Sequence, residues 1–442
     1  MSGLLVGEVV RSAAGATPHR PAVVCGGRVL TFAALDAAAD RVAGHLAACG
    51  VRRGDRVVWP SAGAPVEALQ VYAGAARAGA VLVPLGPDAW SARVVRAAAP
   101  RLVLTDAGRA AEGTRFAAAA QTRHAVLGAG VLADSMRADD VRVNEIRVND
   151  MRVDAVRPEA VRPGVALPDA ALPDATLPGT ALPDATPEDG GAPAQRAASP
   201  DKPPKPQKPG EEPAERDPHL VLFAGPCRPH GVVLSHRASV LRAHCGGRPE
   251  APGALVCGFP AGHWGVWTAV LRQWQARGTV VLPEAPGPGA ICAAVREHRA
   301  TRLVCPPEVW WQVLDTAPHH LATLRCADTE TAAGAAPPRL LEAIRTATPA
   351  ARVRAFLSTP EAGDVAALDH ADVRSRPGSC GVPAPGVAVR VAGGELWVRG
   401  PLLFEGYLRD KAATDAALRD GWFRTGRAAR LDGDGHLHLT DR

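Results

Sequence analysis

From residue 21 onward, short apolar runs alternate with longer stretches in which apolar positions return every third or fourth residue. Pro21 to Cys25 reads as a strand, Gly26-Gly27 as a turn, and Val29 to Phe32 as the start of the next element. Leu35, Ala38, Val42 and Leu46 then recur at helical spacing, which predicts a helix over 32–49 with Thr31 as its N-cap. Gly50 closes it and Gly54 to Val58 opens a strand. Pro65 to Ala78 reads as a second helix, Gly79 to Leu85 as a strand, and a third helix ending at Ala99 leads into a strand over 101–106. This alternation predicts a parallel sheet covered by helices.

The pattern breaks over 135–218 and resumes at 219. In between, Arg142, Arg147, Arg152, Arg157 and Arg162 recur every five residues, and Leu167, Leu172, Leu177 and Leu182 keep the same period. The units end in a Lys/Pro stretch, 202–209. A five-residue period could form a β-helix, but proline in most later units would remove its ladder hydrogen bonds. The expected reading is a disordered linker grown by duplication, which the fold tolerates because closure cost rises slowly with loop length. Beyond it, Leu220 to Phe223 is a strand, a Gly/Pro loop follows, and a helix starts at Ser235. Leu255 to Pro260, Gly278 to Pro283 and the run from Leu303 read as further strands, with helices carrying Val270 and Trp274, then Trp310 and Trp311.

Composition changes this picture little. The 442 residues allow two or three domains, and a net charge of +5 with arginines scattered among acids offers no nucleic-acid footprint. Nine cysteines occur singly, without a C-x-x-C pair, which fits buried thiols in a reducing compartment rather than zinc or disulfides. The first eleven residues have no basic segment leading into a long apolar core, and no apolar run is long enough to span a bilayer. The expected location is cytoplasmic, with no membrane partner.

Candidate chemistry begins at 221–236, where a strand, a glycine loop and a second apolar run follow one another, the layout that wraps backbone N–H groups around phosphate. The tail of this stretch, Arg228-Pro-His-Gly-Val-Val-Leu-Ser-His236, resembles the phosphate loop of the adenylate-forming superfamily: acyl-CoA synthetases, peptide-synthetase adenylation domains and luciferases. The front half departs from that loop. Ala224, Gly225, Pro226 and Cys227 stand where hydroxyls are usual, and His230 stands where the family has lysine. Pro226 has no N–H to donate, and a largely neutral histidine supplies less charge. The resemblance extends over 10–120 and 219–442. It includes Leu30-Thr-Phe, Gly54-Asp-Arg-Val, Ala78-Gly-Ala-Val, Gly378 to Gly386, Gly394 to Pro401, Gly406-Tyr407 and Asp420 to Gly426.

The resemblance implies an α/β fold: the large N-terminal domain of these enzymes, with two packed α/β subdomains and a small β subdomain. The expected divisions are 1–134, the linker 135–218, 219–375, and 376–442. The chain stops at Asp441-Arg442, where the family's hinge leads into a mobile C-terminal domain, so that domain is expected to be absent and Arg442 to mark the hinge. The implied chemistry is ATP- and Mg²⁺-dependent activation of a carboxylic acid, then thioester formation on CoA or a carrier protein. Gly225 and His230 would face phosphates, Gly334 and Ala335 the adenine, with Phe356 stacking on it. Thr359 would reach phosphate and Glu361 would hold the metal, although Pro360 is inserted between them. His263 and Trp264 are candidates for the acyl pocket, or for core packing. Gly265, Val266 and Trp267 replace the Asp that holds an ammonium in amino-acid-activating relatives, so an α-amino acid is disfavoured. Arg427 replaces the ribose-binding Asp. A guanidinium only donates where a carboxylate only accepts, so Arg427 would bind a phosphate or lie on the surface. The reading is therefore a carboxylate-activating ligase, impaired or dependent on a separate C-terminal domain. The alternative is a non-catalytic module that binds an acyl group or a protein.

Overall fold

The computed structural model describes residues 4–60, 65–86, 89–128, 130–132, 136–137, 212–224, 230–244, 253–259, 262–283 and 287–440. The five-residue repeat lies outside the described residues. All of the described residues belong to one compact unit.

Two large sheets carry the fold. The first runs Val382–Pro383, Gly363–Leu368, Arg352–Thr359, Cys326–Thr331, Arg302–Cys305, Ala254–Cys257, Thr279–Leu282, Pro21–Cys25, Arg28–Thr31 and Met136–Arg137. The second runs Gly406–Tyr407, His230–Ser235, Pro218–Ala224, Val81–Leu85, Arg56–Pro60, Leu102–Thr105 and Arg123–Val126. A small sheet joins Ala388–Ala392, Glu395–Arg399, Trp422–Leu431 and Leu418–Arg419, with Leu437–Leu439 paired to Trp422–Leu431. The parallel arrangement expected from the alternation holds in the middle of both large sheets and out to the Arg123–Val126 edge of the second, while both edges of the first and the Gly406–Tyr407 edge of the second are antiparallel. The strands of 21–31 leave their sequence neighbours and pair with Thr279–Leu282, so the segment 1–134 feeds both sheets.

Local elements form for local reasons. Thr31 accepts the Ala34 N–H at 3.2 Å and starts the helix Phe32–Ala48, whose buried stripe is Phe32, Leu35, Ala38, Ala39, Val42 and Leu46. Between the sheets this helix packs with Val6–Ala16, Pro65–Arg77 and Gly265–Gln275, around Trp59, Tyr72, Leu82, Leu220 and Trp274. Outer helices cover the other faces: Pro288–Glu297, Pro307–Thr316 and Pro338–Ala347 on the first sheet, Ala92–Ala98 and Ala110–Ala119 on the second. The last residues of the expected linker are built into this fold, because Asp217 accepts from Arg53 at 2.5 and 2.8 Å and from the Ala214 N–H at 2.8 Å.

Two buried histidines stack where the second sheet meets the N-terminal helix. The rings of His219 and His236 lie 4.7 Å apart; His236 Nδ1 accepts the Val6 N–H, and His219 Nε2 meets Ser239 Oγ at 2.7 Å. Burial is the main cause that pushes His236 down to about 4 and holds His219 well below the usual histidine range. The unfolded chain takes up these protons near pH 6.5 and the folded chain resists them, so stability is full above that pH and falls as pH drops. His236 alone should cost about 3 kcal/mol by pH 4. Denaturant midpoints measured between pH 7.5 and pH 4 should show this loss, and His236→Asn, which keeps an acceptor for Val6, should remove much of it.

Candidate active site

The strands Pro218–Ala224 and His230–Ser235 form a hairpin in which Ala224 pairs with His230. The connecting loop, with the expected phosphate-binding Gly225, lies outside the described residues. Gly231 is required by packing: a Cβ there would sit 2.9 Å from Val221 and 3.0 Å from Leu408. The open edge of the hairpin is taken by Gly406–Tyr407, with Gly406 opposite Val233 and Tyr407 opposite Val232. This places the Tyr407 ring 5.1 Å from the His230 ring, while His230 Nδ1 lies 3.5 Å from Asp410 Oδ2. The Tyr407 hydroxyl donates to Glu361 Oε1 at 3.2 Å. Burial, and then the neighbouring Glu361, raise the Tyr407 pKa, so the phenol stays protonated and remains a donor. His230 and Glu361, read from separate motifs, thus meet through Tyr407.

Glu361 is aimed by the turn that follows Arg352–Thr359. The Thr359 hydroxyl, expected at a phosphate, accepts the Ala362 N–H at 3.1 Å and so braces this turn. Arg242, 2% exposed on the helix His236–His244, donates to the carbonyls of Pro360, Glu361 and Leu402, each at 2.8 Å. The inserted Pro360 is thereby accommodated: its carbonyl is held from beneath while the Glu361 side chain turns to Tyr407. Replacing Arg242 with Met would strand three carbonyls, two of them in buried bonds. Arg242→Met should lower unfolding free energy by roughly 3–5 kcal/mol in a denaturant titration.

At the loop expected to face adenine, Arg427 Nη1 donates to the Ala333 carbonyl at 2.9 Å, beside Gly334 and Ala335. Glu395 sets up this contact by accepting from the Gly426 N–H at 2.9 Å and from Arg424 at 2.8 Å. A Cβ at Gly334 would meet nothing within 4 Å, so the chain itself does not require glycine there. Phe356 departs from expectation. Only 9% exposed, with the Arg354 guanidinium 5.3 Å from its ring centre, it forms part of a cavity wall and is not a free platform for a base. Arg442 lies outside the described residues.

His263 sits between Phe259 and Trp264, with ring centres 4.6 and 5.3 Å away, and its Nδ1 accepts the Gly265 N–H at 3.1 Å. Burial pushes its pKa down to about 4, so the ring is neutral. Gly265 lets several groups converge, since a Cβ there would lie 2.9 Å from Phe259, 3.0 Å from Glu330 and 3.1 Å from His263. Behind it is a polar cavity on the first sheet, lined in part by Arg272, Arg302, Asp328, Glu330 and Phe356.

Three groupings result: His230 with Glu361, Arg427 with the 333–335 loop, and His263 with Trp264. Sequence reasoning missed Arg242, Asp410, Arg272 and Glu330. Tyr407 was visible only as part of a Gly-Tyr pair, and a buried helical arginine carries no signal that separates it from a surface one. The described residues contain no group of three His, Cys, Asp or Glu placed to hold a metal, so a cation would depend on Glu361 plus ligand oxygens.

A family model described as AMP-binding enzyme matches residues 10–408. Feruloyl-CoA synthase of an Amycolatopsis species is 35% identical over 176 residues, 37% of this chain and 36% of that protein. Indoleacetate–CoA ligase of Aromatoleum aromaticum is 31% identical over 188 residues, covering 38% and 35% of the two chains. The matches therefore span little more than a third of these relatives. The N-terminal domain of FACL13 from Mycobacterium tuberculosis has the same fold, with a TM-score of 0.71 at 19% identity over the whole of both chains.

Proposed function

The chain belongs to the AMP-binding enzyme family, and we propose that it binds Mg·ATP and a small carboxylic acid other than an α-amino acid, as an acyl-CoA synthetase-like adenylating chain. The observation that carries this reading is the meeting of Glu361 and His230 through Tyr407 beside the phosphate-loop hairpin. One Glu361 oxygen, Oε1, accepts the Tyr407 hydrogen bond, which leaves Oε2 for a cation. Mg²⁺ bound through one carboxylate and substrate phosphates fits such a donor set. Buried thiols such as Cys257 and Cys305 suit a cytoplasmic setting.

Bound ATP supplies the adenylyl group, and the chain's own residues orient and neutralise. His230, in reach of Asp410, offers a proton-bearing nitrogen at the end of the phosphate loop. Glu361 is held at a fixed angle by Tyr407 and by Arg242 behind it. Ala333 to Ala335 would lie along the purine. His263 and Trp264 would wall the acyl group, and their neutral rings add no charge near the carboxylate to be activated. Transfer to CoA or a carrier protein belongs to the same reading. Without the family's lysine in the loop, turnover would be slow.

A non-catalytic acyl- or protein-binding module is the second reading. It is favoured by Thr359 and Arg427, whose polar atoms are engaged within the chain at 3.1 and 2.9 Å. Calorimetric titration with Mg·ATP, and separately with AMP, decides between them. The first reading expects micromolar affinity, with Glu361→Gln weakening Mg·ATP at least about tenfold while leaving AMP nearly unchanged, a difference of about 1.4 kcal/mol. Absence of heat up to millimolar nucleotide, with a folded protein, would select the second.

A further inference from the structure

The far wall of the acyl side is not hydrocarbon. Its cavity has room for about one water-sized group, at a volume of ≈ 20 Å³, and two arginines, Arg272 and Arg302, and two carboxylates, Asp328 and Glu330, line it. Asp328 takes a two-pronged bond from Arg354 at 2.8 and 2.7 Å, with Arg302 at 3.5 Å. Asp364, just beyond the lining, takes Arg272 at 2.8 Å and the Ser358 hydroxyl at 2.7 Å. These two acids are matched.

Glu330 is not matched. It faces the cavity beside Gly265, and among the described residues no donor is hydrogen-bonded to its carboxyl. Its surroundings are unfavourable for a lone negative charge. Burial is the largest influence and Asp364 the next; Arg272 opposes them and Asp328 adds to them, so the carboxyl is pushed up to about 8. The Glu330 carboxyl has no donor bonded to it, although the lining Arg272 is near enough to act on its charge, and the space before it admits a group of about the size of water. A hydroxyl could fill the hydrogen bond but would leave the charge unbalanced. An aromatic ring would not enter.

We propose that Glu330 anchors a terminal ammonium on the acid, so that the substrate is a short ω-amino carboxylic acid. The inference rests on the preceding reading that the acyl group enters past His263. It agrees with the absence of an acidic residue at Gly265 to Trp267, because the ammonium is held at the far end of the substrate and not at its α-carbon. When the ammonium arrives, Glu330 gives up its proton to the solvent buffer, the new N–H⁺···O⁻ bond forms, and the two charges stay paired.

The full chain would be titrated calorimetrically with β-alanine, γ-aminobutyrate and δ-aminovalerate, each with and without Mg·ATP. Propionate, butyrate, valerate, γ-hydroxybutyrate and succinate are the controls. At least one ω-amino acid should bind about tenfold or more tighter than its amine-free counterpart, and at neutral pH should release protons in buffers of differing ionisation enthalpy. Glu330→Gln should erase both the preference and the proton release. Glu330→Asp, which keeps the charge one methylene shorter, should shift the preference to a longer acid. Nucleotide binding with no preference for amines would overturn the inference and leave the family reading standing. Amine-selective binding without nucleotide would do the reverse. Best binding of succinate would assign the cavity to Arg272 and overturn the proposal, as would binding of none of the acids.

Discussion

A single guanidinium holds the site together. Arg242 projects from the helix after the phosphate-loop hairpin and reaches carbonyls from two other segments: Pro360 and Glu361 in one turn, Leu402 in another. A buried carbonyl needs a donor, and arginine alone offers five in a planar fork. The contact continues in the other direction, because the Arg242 carbonyl accepts from Arg272 at 3.3 Å, and Arg272 pairs with Asp364. Gly363, at φ +67, allows the stem of Arg242 to lie across it, since a Cβ there would come within 3.1 Å of that stem. The turn that carries Glu361 and the position of Arg272 near Glu330 are therefore both tied to one residue, by its side chain on one side and its main-chain carbonyl on the other, and it touches neither carboxylate.

The local elements were legible in the sequence because their causes are local. The helix Phe32–Ala48, its Thr31 cap and the strand Val81–Leu85 follow from periodicity and one hydroxyl. The parting of 21–31 from 56–105 into different sheets was not, since strand pairing is decided by distant partners. The site divides in the same way. His230 and Glu361 stand in motifs, and motifs can be read along the chain. Phe356 was assigned to the adenine because it occupies the aromatic position of a motif, yet the face of a strand that meets solvent depends on what packs above it. Here the helix Gly265–Gln275 covers that face, and the ring lines the cavity. Glu330, one strand away and paired in register with Phe356, was invisible for the same reason.

The polar cavity also bears on the balance between an active chain and an idle one. Burying ions is costly unless each has a partner in good geometry, and a mismatched member costs several kcal/mol. Asp328 and Asp364 are matched by arginines within 2.8 Å, so most of this network satisfies itself and serves as a rigid floor. A structural network would be expected to close completely. Glu330 does not close it: its carboxyl faces open space beside His263, raised toward neutrality by burial and by its acidic neighbours. A protonated acid is the least costly form of such a residue when the pocket is empty, and an ion pair is the least costly form when a cation fills it. Arg427 shows the opposite economy, being engaged with Ala333 within the chain. Among the described residues, Arg427 and Thr359 are thus engaged by internal bonds while Glu330 keeps a carboxyl with no bonded donor, so the physical case for a ligand is stronger at Glu330 than at either of them.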